Sequence, residues 1–317
     1  MSLIITILVV AKLLKMISTT NHTKIIQIFD YIATEYEKTL QFHVERYSNN
    51  KYPLFTDVQA MTMYVYCTVY EKRVTLKDMY NFVKSYLSDI FVNLPSYVAF
   101  CNRIARLSPA FNMLFNRVVT TNLPIMEENI YTLMDSMPII TCSGKRKAKV
   151  AREIANKGVC STKSMYYYGV KLHALAVRVK GALPFPESVV ITPASESDLN
   201  VFRDNWSELK NRVFFADKIY QSTNNEQYIR NFNSELLSPV KYHKNVPKVI
   251  KQFNKAKDDL CNRAVSAIRQ PIEGLFNWLI ETTSIQRASK VRSTKGLLAF
   301  IFGKLSAALA YKYIFNP

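Results

Sequence analysis

Ile130-Tyr-Thr-Leu-Met134 is an apolar, β-prone run, and it ends at Asp135. Further on, Arg212-Val-Phe-Phe-Ala216 is a second such run, and it ends at Asp217. An acid beside a buried strand loses hydration that something must replace, and a bound cation is one replacement. Taken alone, each aspartate reads as the start of a loop. Together they set the reading of everything around them.

Between and beyond these runs the pattern alternates. Met165 to Val179 holds a strand-like stretch, followed by Ser188-Val-Val-Ile-Thr192, a helical stretch over Ser197–Leu209, and a last short strand in Ser234-Glu-Leu-Leu-Ser238. From Pro247 to about Thr282 helix dominates. Three strands, a helix, a strand and then helices predict a mixed α/β core over residues 128–317.

Upstream the character differs. Ile25, Ile26, Ile28, Phe29, Ile32 and Tyr36 recur near helical spacing, and no glycine occurs between Thr23 and Phe115. Residues 23–127 are therefore expected to form an all-helical domain. Thr75-Leu-Lys-Asp78 carries a helix-start signature for a helix reaching about Ser88, and Asn93-Leu-Pro-Ser96 breaks the chain before a second helix. Arg103 and Arg106 share a face of that helix. Two readings stand: a helix-turn-helix whose arginines read DNA, or ordinary packing with two solvated arginines.

The charge balance names a class of partner. Lys and Arg number 42 against 24 acids, a formal +18 with pI about 9.6. Residues 1–127 hold 13 basic and 9 acidic side chains, and residues 128–317 hold 29 and 15. The C-terminal part is thus expected to face a polyanion, either nucleic acid or an anionic membrane. Its densest run, Gly144-Lys-Arg-Lys-Ala-Lys-Val-Ala-Arg152, is expected to form the loop after the first strand, near the acids. There Lys145, Arg146, Lys147, Lys149 and Arg152 contact phosphates, or else make a solvated face. Lys241 to Lys257, with Tyr242, His243 and Phe253 interleaved, suits distorted or single-stranded DNA and equally a solvated helix.

Several classes drop out. Five scattered cysteines with no C-x-x-C pair argue against a disulfide framework and a structural zinc site. Residues 1–22 form an apolar N-terminal segment, but Leu3 to Ala11 is too short to span a bilayer, and a core-packed helix or an over-extended start is favoured over a signal peptide. Leu297 to Tyr311, interrupted by Gly303 and Lys304, reads as an amphipathic final helix. The expectation is a cytoplasmic, nucleoid-associated chain with no membrane partner. No P-loop, dinucleotide fingerprint or Ser-His-Asp motif occurs. His173 has no ligand-spaced His or Cys and reads as packed.

A third acid completes the pattern. In Arg269-Gln-Pro-Ile-Glu-Gly-Leu-Phe-Asn-Trp-Leu-Ile, residues Ile272, Phe276 and Leu279 fall at helical spacing, which sets Glu273 beside a buried face. Oxygen-only ligands select hard ions such as Mg²⁺ or Mn²⁺, and two of them about 4 Å apart can hold the attacking and leaving oxygens of a phosphoryl displacement.

In order along the chain, Met134-Asp-Ser-Met-Pro138, Tyr168-Gly-Val-Lys-Leu-His173, Val190-Ile-Thr-Pro193, Ala216-Asp-Lys-Ile-Tyr220 and Arg269-Gln-Pro-Ile-Glu273 resemble the DDE transposases of bacterial insertion sequences, in the nine-eighty-two branch. The likeness runs from about Thr23 to the final helix. It implies a ribonuclease-H-like core with Asp135 on the first strand, Asp217 on the fourth and Glu273 on a later helix, the three holding two divalent ions, Mg²⁺ or Mn²⁺. It further implies cleavage at the element's terminal inverted repeats, strand transfer into target double-stranded DNA, and a homo-oligomer on DNA. Arg269 stands four residues before the glutamate, as in the family, where it contacts DNA. Ile219 replaces a usual glycine, and Ile280 stands where related families carry a lysine. A ribonuclease-H-like nuclease or resolvase without strand transfer, and a decayed DNA-binding protein, are the alternatives.

Overall fold

The structure is a computed structural model that describes residues 21–46, 53–126, 130–145, 150–160, 164–220, 231–240, 242 and 246–316. The helices are α1 (residues 21–38), α2 (Asp57–Val69), α3 (Leu76–Tyr86), α4 (Tyr97–Arg106), α5 (Ser108–Met126), α6 (Asp198–Asn205), α7 (Lys248–Arg269), α8 (Pro271–Thr283) and α9 (Thr294–Ala310). The strands are β1 (Tyr131–Ser143), β2 (Asn156–Cys160), β3 (Met165–Val177), β4 (Phe185–Pro193), β5 (Val213–Phe215) and β6 (Glu235–Leu237). The described residues within 1–118 and 295–317 form one compact unit, and those within 119–294 form the other.

The helical unit begins its helices where the sequence says it should. Thr56 and Gln59 make a reciprocal capping box at α2. Thr75 accepts from the Asp78 N–H at α3, and Ser96 accepts from the Ala99 N–H at α4. Each such cap satisfies a helix-end donor and contributes about 1 kcal/mol. Ile28, Ile32, Met61, Tyr64, Phe100 and Phe111 build the core, joined by Ala299 and Ala307 of α9.

Helix α9 departs from expectation. It is not amphipathic: its residues are apolar around most of the circumference, so it is buried on most sides, as such helices must be. Its contacts group it with the helical unit, whereas the sequence pattern assigns it to the C-terminal domain. Gly303 lies flat on Tyr64, where an added Cβ would meet the ring at 2.6 Å. Lys304 is wholly buried beside the Phe300 ring, and burial pushes its amine down to about 7. By length and composition Thr294–Phe315 could cross a membrane, yet most of it is covered by protein here.

The second unit is a six-stranded sheet in the order β2-β3-β1-β5-β6, with β4 also on β3. The β1–β3 and β3–β4 pairs are antiparallel, and β1–β5 and β5–β6 are parallel. Strands β2 and β4 share one edge of β3, pairing with residues 165–169 and 170–177 respectively. Leaving β2 aside, the order is compatible with a ribonuclease-H-like core. Val201, Phe202 and Trp206 around α6 cover Met134, Leu175 and Phe214 on one face. Helix α8 packs against β1 with Ile272, Leu275, Phe276 and Leu279 buried.

Two strands differ from the sequence reading. Strand β1 does not end at Asp135; it runs on to Ser143, held by β3 along its whole length. Close approach there requires Gly169, whose added Cβ would strike the Ile139 carbonyl oxygen at 2.0 Å. Strand β2 is absent from the sequence reading, because Asn156-Lys-Gly-Val-Cys160 has little β-pattern and its pairing is entirely tertiary. Its insertion makes β5, the strand before Asp217, the fifth strand and not the fourth.

Candidate active site

Strand β1 has an antiparallel neighbour, β3, on one edge and a parallel neighbour, β5, on the other. The β5 pairing covers only Tyr131, Thr132 and Leu133, whose partner is Phe215. Beyond Leu133 that edge of β1 has no strand partner among the described residues until Ile140, which bonds to the backbone of Gln286 and Ala288. Asp135 lies in this opening, two residues past the last pair, and Asp217 lies two residues past the same pair on β5. Adjacent strands run about 4.8 Å apart, so the two acids stand side by side where β5 ends against β1, while β1 itself runs on.

Glu273 reaches the same opening from another element. Pro271 cannot continue the hydrogen bonding of α7 and suits the first turn of the next helix, so α7 stops at Arg269 and α8 starts at Pro271. That puts Glu273 in the first turn of α8, where the helix dipole favours a carboxylate. Arg269 then bridges the two acids: Nη1 donates to Asp135 Oδ2 at 2.9 Å, and Nη2 donates to Glu273 Oε1 at 3.0 Å. Burial pushes the Asp135 carboxyl above its ordinary value, against the opposing pull of Arg269 and of the Ser136 N–H.

Tyr220 ties in the third acid. It is buried among Phe202, Phe214 and Ala216. Burial raises its phenol well above the ordinary value, and the nearby charges of Asp198, Asp135 and Asp217 raise it further. Asp217 itself accepts the Lys218 N–H at 2.7 Å. Among the described residues no three acids, histidines or cysteines stand close enough together to hold a metal ion. The donor set nevertheless fits a divalent cation in kind. It is carboxylate oxygen throughout, and a cationic guanidinium already fills the gap between Asp135 and Glu273.

A polar network lies alongside. Asp198, the first residue of α6, accepts from Ser136 Oγ at 3.1 Å and from Lys171 Nζ at 3.1 Å. His173 is fully buried, with Nε2 at 2.8 Å from Thr192 Oγ1, and burial lowers its ring to about 4. It is thus a packed, neutral histidine, as the sequence suggested. Lys171 and Tyr220 carry no role in the sequence reading. Lys171 and His173 do share one motif, and their two-residue spacing puts them on one face of β3.

The basic residues fall elsewhere. Ser143 is eight residues past Asp135, so the run that follows it begins roughly 26 Å along the strand from the acids. Its first basic residue, Lys145, therefore stands at the far end of β1 and not directly after Asp135. Lys145 and Arg152 are exposed, and Arg146, Lys147 and Lys149 lie outside the described residues. Arg103 and Arg106 turn inward. Arg106 bonds to Asp57 and to the Val44 carbonyl, and Arg103 Nε stands 3.9 Å from Asp57 with 11% of its side chain exposed. Arg46 adds a third guanidinium at 2.9 Å. Burial alone would raise the Asp57 carboxyl, and the hydrogen bonds from Arg106 and Arg46 hold it below its ordinary value.

Comparison with known families settles the wider context. The family described as Transposase DDE domain matches residues 130–309, more than half of the chain. The chain belongs to that family. The matched region begins one residue before β1 and so includes Asp135, Asp217, Arg269 and Glu273. Among curated proteins none matches this transposase-family chain.

Proposed function

We propose that the chain is an insertion-sequence transposase of the nine-eighty-two branch, cutting DNA at the element's terminal inverted repeats and joining the freed 3′ ends to target DNA. The observation that carries this reading is the placement of Asp135 and Asp217, each two residues beyond the last pair joining parallel strands β1 and β5, with Glu273 tied to Asp135 through Arg269. In this reading Asp135, Asp217 and Glu273 hold two divalent ions, Mg²⁺ or Mn²⁺. The ions supply charge neutralisation at the phosphoryl group in transfer. Arg269 is released from its carboxylates when they are so occupied. Its guanidinium, with five donors in a planar fork, then suits a phosphate oxygen pair of the bound strand. It bonds two of the three acids, and Ile280 stands where related families carry a lysine. Tyr220 and the Asp198–Lys171 pair hold the floor of the opening against the strands.

The +14 balance of residues 128–317 supports a DNA partner, and the cytoplasmic, nucleoid-associated setting follows from that partner. Two ends must be joined in one event, which a homo-oligomer on DNA provides. The test is an assay with a pre-cleaved element end. The transposase reading expects the 3′-hydroxyl to be joined to target DNA without further hydrolysis. Hydrolysis of intact DNA with no joining would favour a nuclease or resolvase of the same fold. Binding without either reaction would favour a decayed DNA-binding protein.

A further inference from the structure

Helix α7 is amphipathic in the reverse sense. Its half-buried side is largely polar, with Lys251, Asn254, Asp258, Asn262 and Arg269 beside Val265 and Ile268. Those side chains make its attachments: Asn262 Oδ1 accepts from the Val240 N–H at 2.7 Å, Asp258 accepts from the Tyr242 hydroxyl, and Arg269 bridges Asp135 and Glu273. The outer side carries Val249, Phe253, Ala256, Leu260, Ala264 and Ala267, every one of them exposed. Phe253 is 89% exposed, Val249 74% and Leu260 72%. No residue of this 22-residue helix is buried. A continuous apolar stripe left in water costs hydrophobic free energy along its whole length, and such stripes mark interaction surfaces.

The stripe also says what shape it fits. Its members recur every three or four residues and return to the same azimuth after five turns, which is the seam of a helix that packs on another helix. Large members gather toward its start and small ones toward its end, so that the order is self-complementary in the antiparallel sense. Laid against a second copy, Val249 meets the partner's Ala267, Phe253 meets the partner's Ala264, and Ala256 meets the partner's Leu260. Each large side chain then faces a small one throughout, as an isologous two-fold contact requires.

We infer that the outer face of α7 is a self-association surface, on which a second copy of this chain docks through the antiparallel α7 helix. The size of the contact fits a weak, reversible dimer. A helix of this length is roughly 33 Å long, and a strip about 10 Å wide covers on the order of 300 Å² per copy, against about 800 Å² in a standard interface. The charge adds a signature. Six basic residues and two aspartates on each helix repel the partner's, so added salt strengthens the pair. A DNA surface behaves oppositely, since salt weakens it. The surface is independent of the carboxylate assignment, because none of its six apolar members touches the acids.

Sedimentation of the full chain, without DNA or metal, tests this. The wild type should pass from monomer to dimer with rising concentration, more readily in high salt. Phe253→Ala leaves two small residues in contact, and Ala264→Phe sets two phenylalanines together. Each should weaken the dimer by about tenfold or more. The double variant F253A/A264F exchanges the two roles and should recover dimerisation to within about threefold of the wild type. These positions are solvent-exposed, so unchanged thermal unfolding of all three variants checks that folding is intact. Asp135→Asn should dimerise like the wild type even if it abolishes chemistry, which separates this surface from the catalytic reading. A wild type that stays monomeric at every concentration, single variants that associate as well as it does, or a double variant that fails to recover would overturn the proposal. So would a Phe253→Ala protein whose only loss is DNA binding.

Discussion

Asp135 and Asp217 each stand two residues beyond Leu133 and Phe215, the last pair that joins β1 to β5. Nothing in their 82-residue separation brings them together; the parallel register does. Glu273 is then drawn in by a guanidinium and not by a strand.

Arg269 is accordingly the most informative residue to change. Arg269→Ala removes the cation that competes for Asp135 and Glu273, so affinity for Mn²⁺ should rise, read by calorimetric titration. Strand joining should nevertheless fall, by roughly 10²-fold, because the same side chain is the one available for phosphate. Arg269→Lys should keep the charge, lose the two-pronged bridge, and fall between the two.

The Asp57 cluster predicts stability and not recognition. Asp57→Ala leaves Arg46, Arg103 and Arg106 without their shared carboxylate, at a cost of about 3–5 kcal/mol in urea unfolding. The folded carboxyl lies below its unfolded value, so its contribution is present above the unfolded value and is lost as pH falls through the folded one. The gap between variant and wild type should therefore narrow in acid. Replacing Arg103 and Arg106 by Ala should lower the melting temperature and reduce binding to terminal and random DNA alike.

Lys304 gives a second pH test, in which the variant gains stability instead of losing it. Its folded value, about 7, lies below its ordinary value, so the unfolded chain binds the extra proton between those limits and stability rises with pH there. Below about 7 the folded chain carries a buried charge. Lys304→Met should raise the melting temperature by several degrees at pH 6–7, with the advantage shrinking as pH approaches 10, by calorimetry.

The exposed cations at the far end of β1 predict a salt effect. Changing Lys145 and Arg152 to Ala should flatten the dependence of log affinity on log salt by about 0.9 for each phosphate that is no longer neutralised. DNA bound roughly 26 Å from the acids along the strand bears on affinity and not on chemistry. Joining at saturating DNA should stay within about twofold of the wild type. An unchanged slope would mean that these two side chains face solvent.

Much of this architecture is legible in the sequence because local signals carry it. Thr75 and Ser96 announce their helices by capping, and β3, β4, β5 and β6 follow from β-branched and aromatic runs bounded by polar residues. The carboxylates are legible as motifs. What stays hidden depends on partners far away in sequence. Asp57 is 46 residues from Arg103, so nothing local says that these arginines turn inward. Asp135 and Pro138 make β1 look finished at Met134, whereas β3 holds it to Ser143. That one misplaced end also starts the basic run directly after Asp135, whereas Lys145 follows the far end of β1. Strand β2 has no pattern of its own, and Gly303 and Lys304 disguise α9 as a surface helix.

The central claim is that Asp135, Asp217 and Glu273 surround one metal cluster. Iron(II) loaded in place of Mg²⁺, with ascorbate and peroxide, cuts the polypeptide wherever it lies close to the ion. Backbone cuts are expected at three places only, around residues 135, 217 and 273, all suppressed by excess Mg²⁺ and all lost together in Asp135→Asn. Cuts that omit any one of the three, or that persist in Asp135→Asn, would contradict the claim.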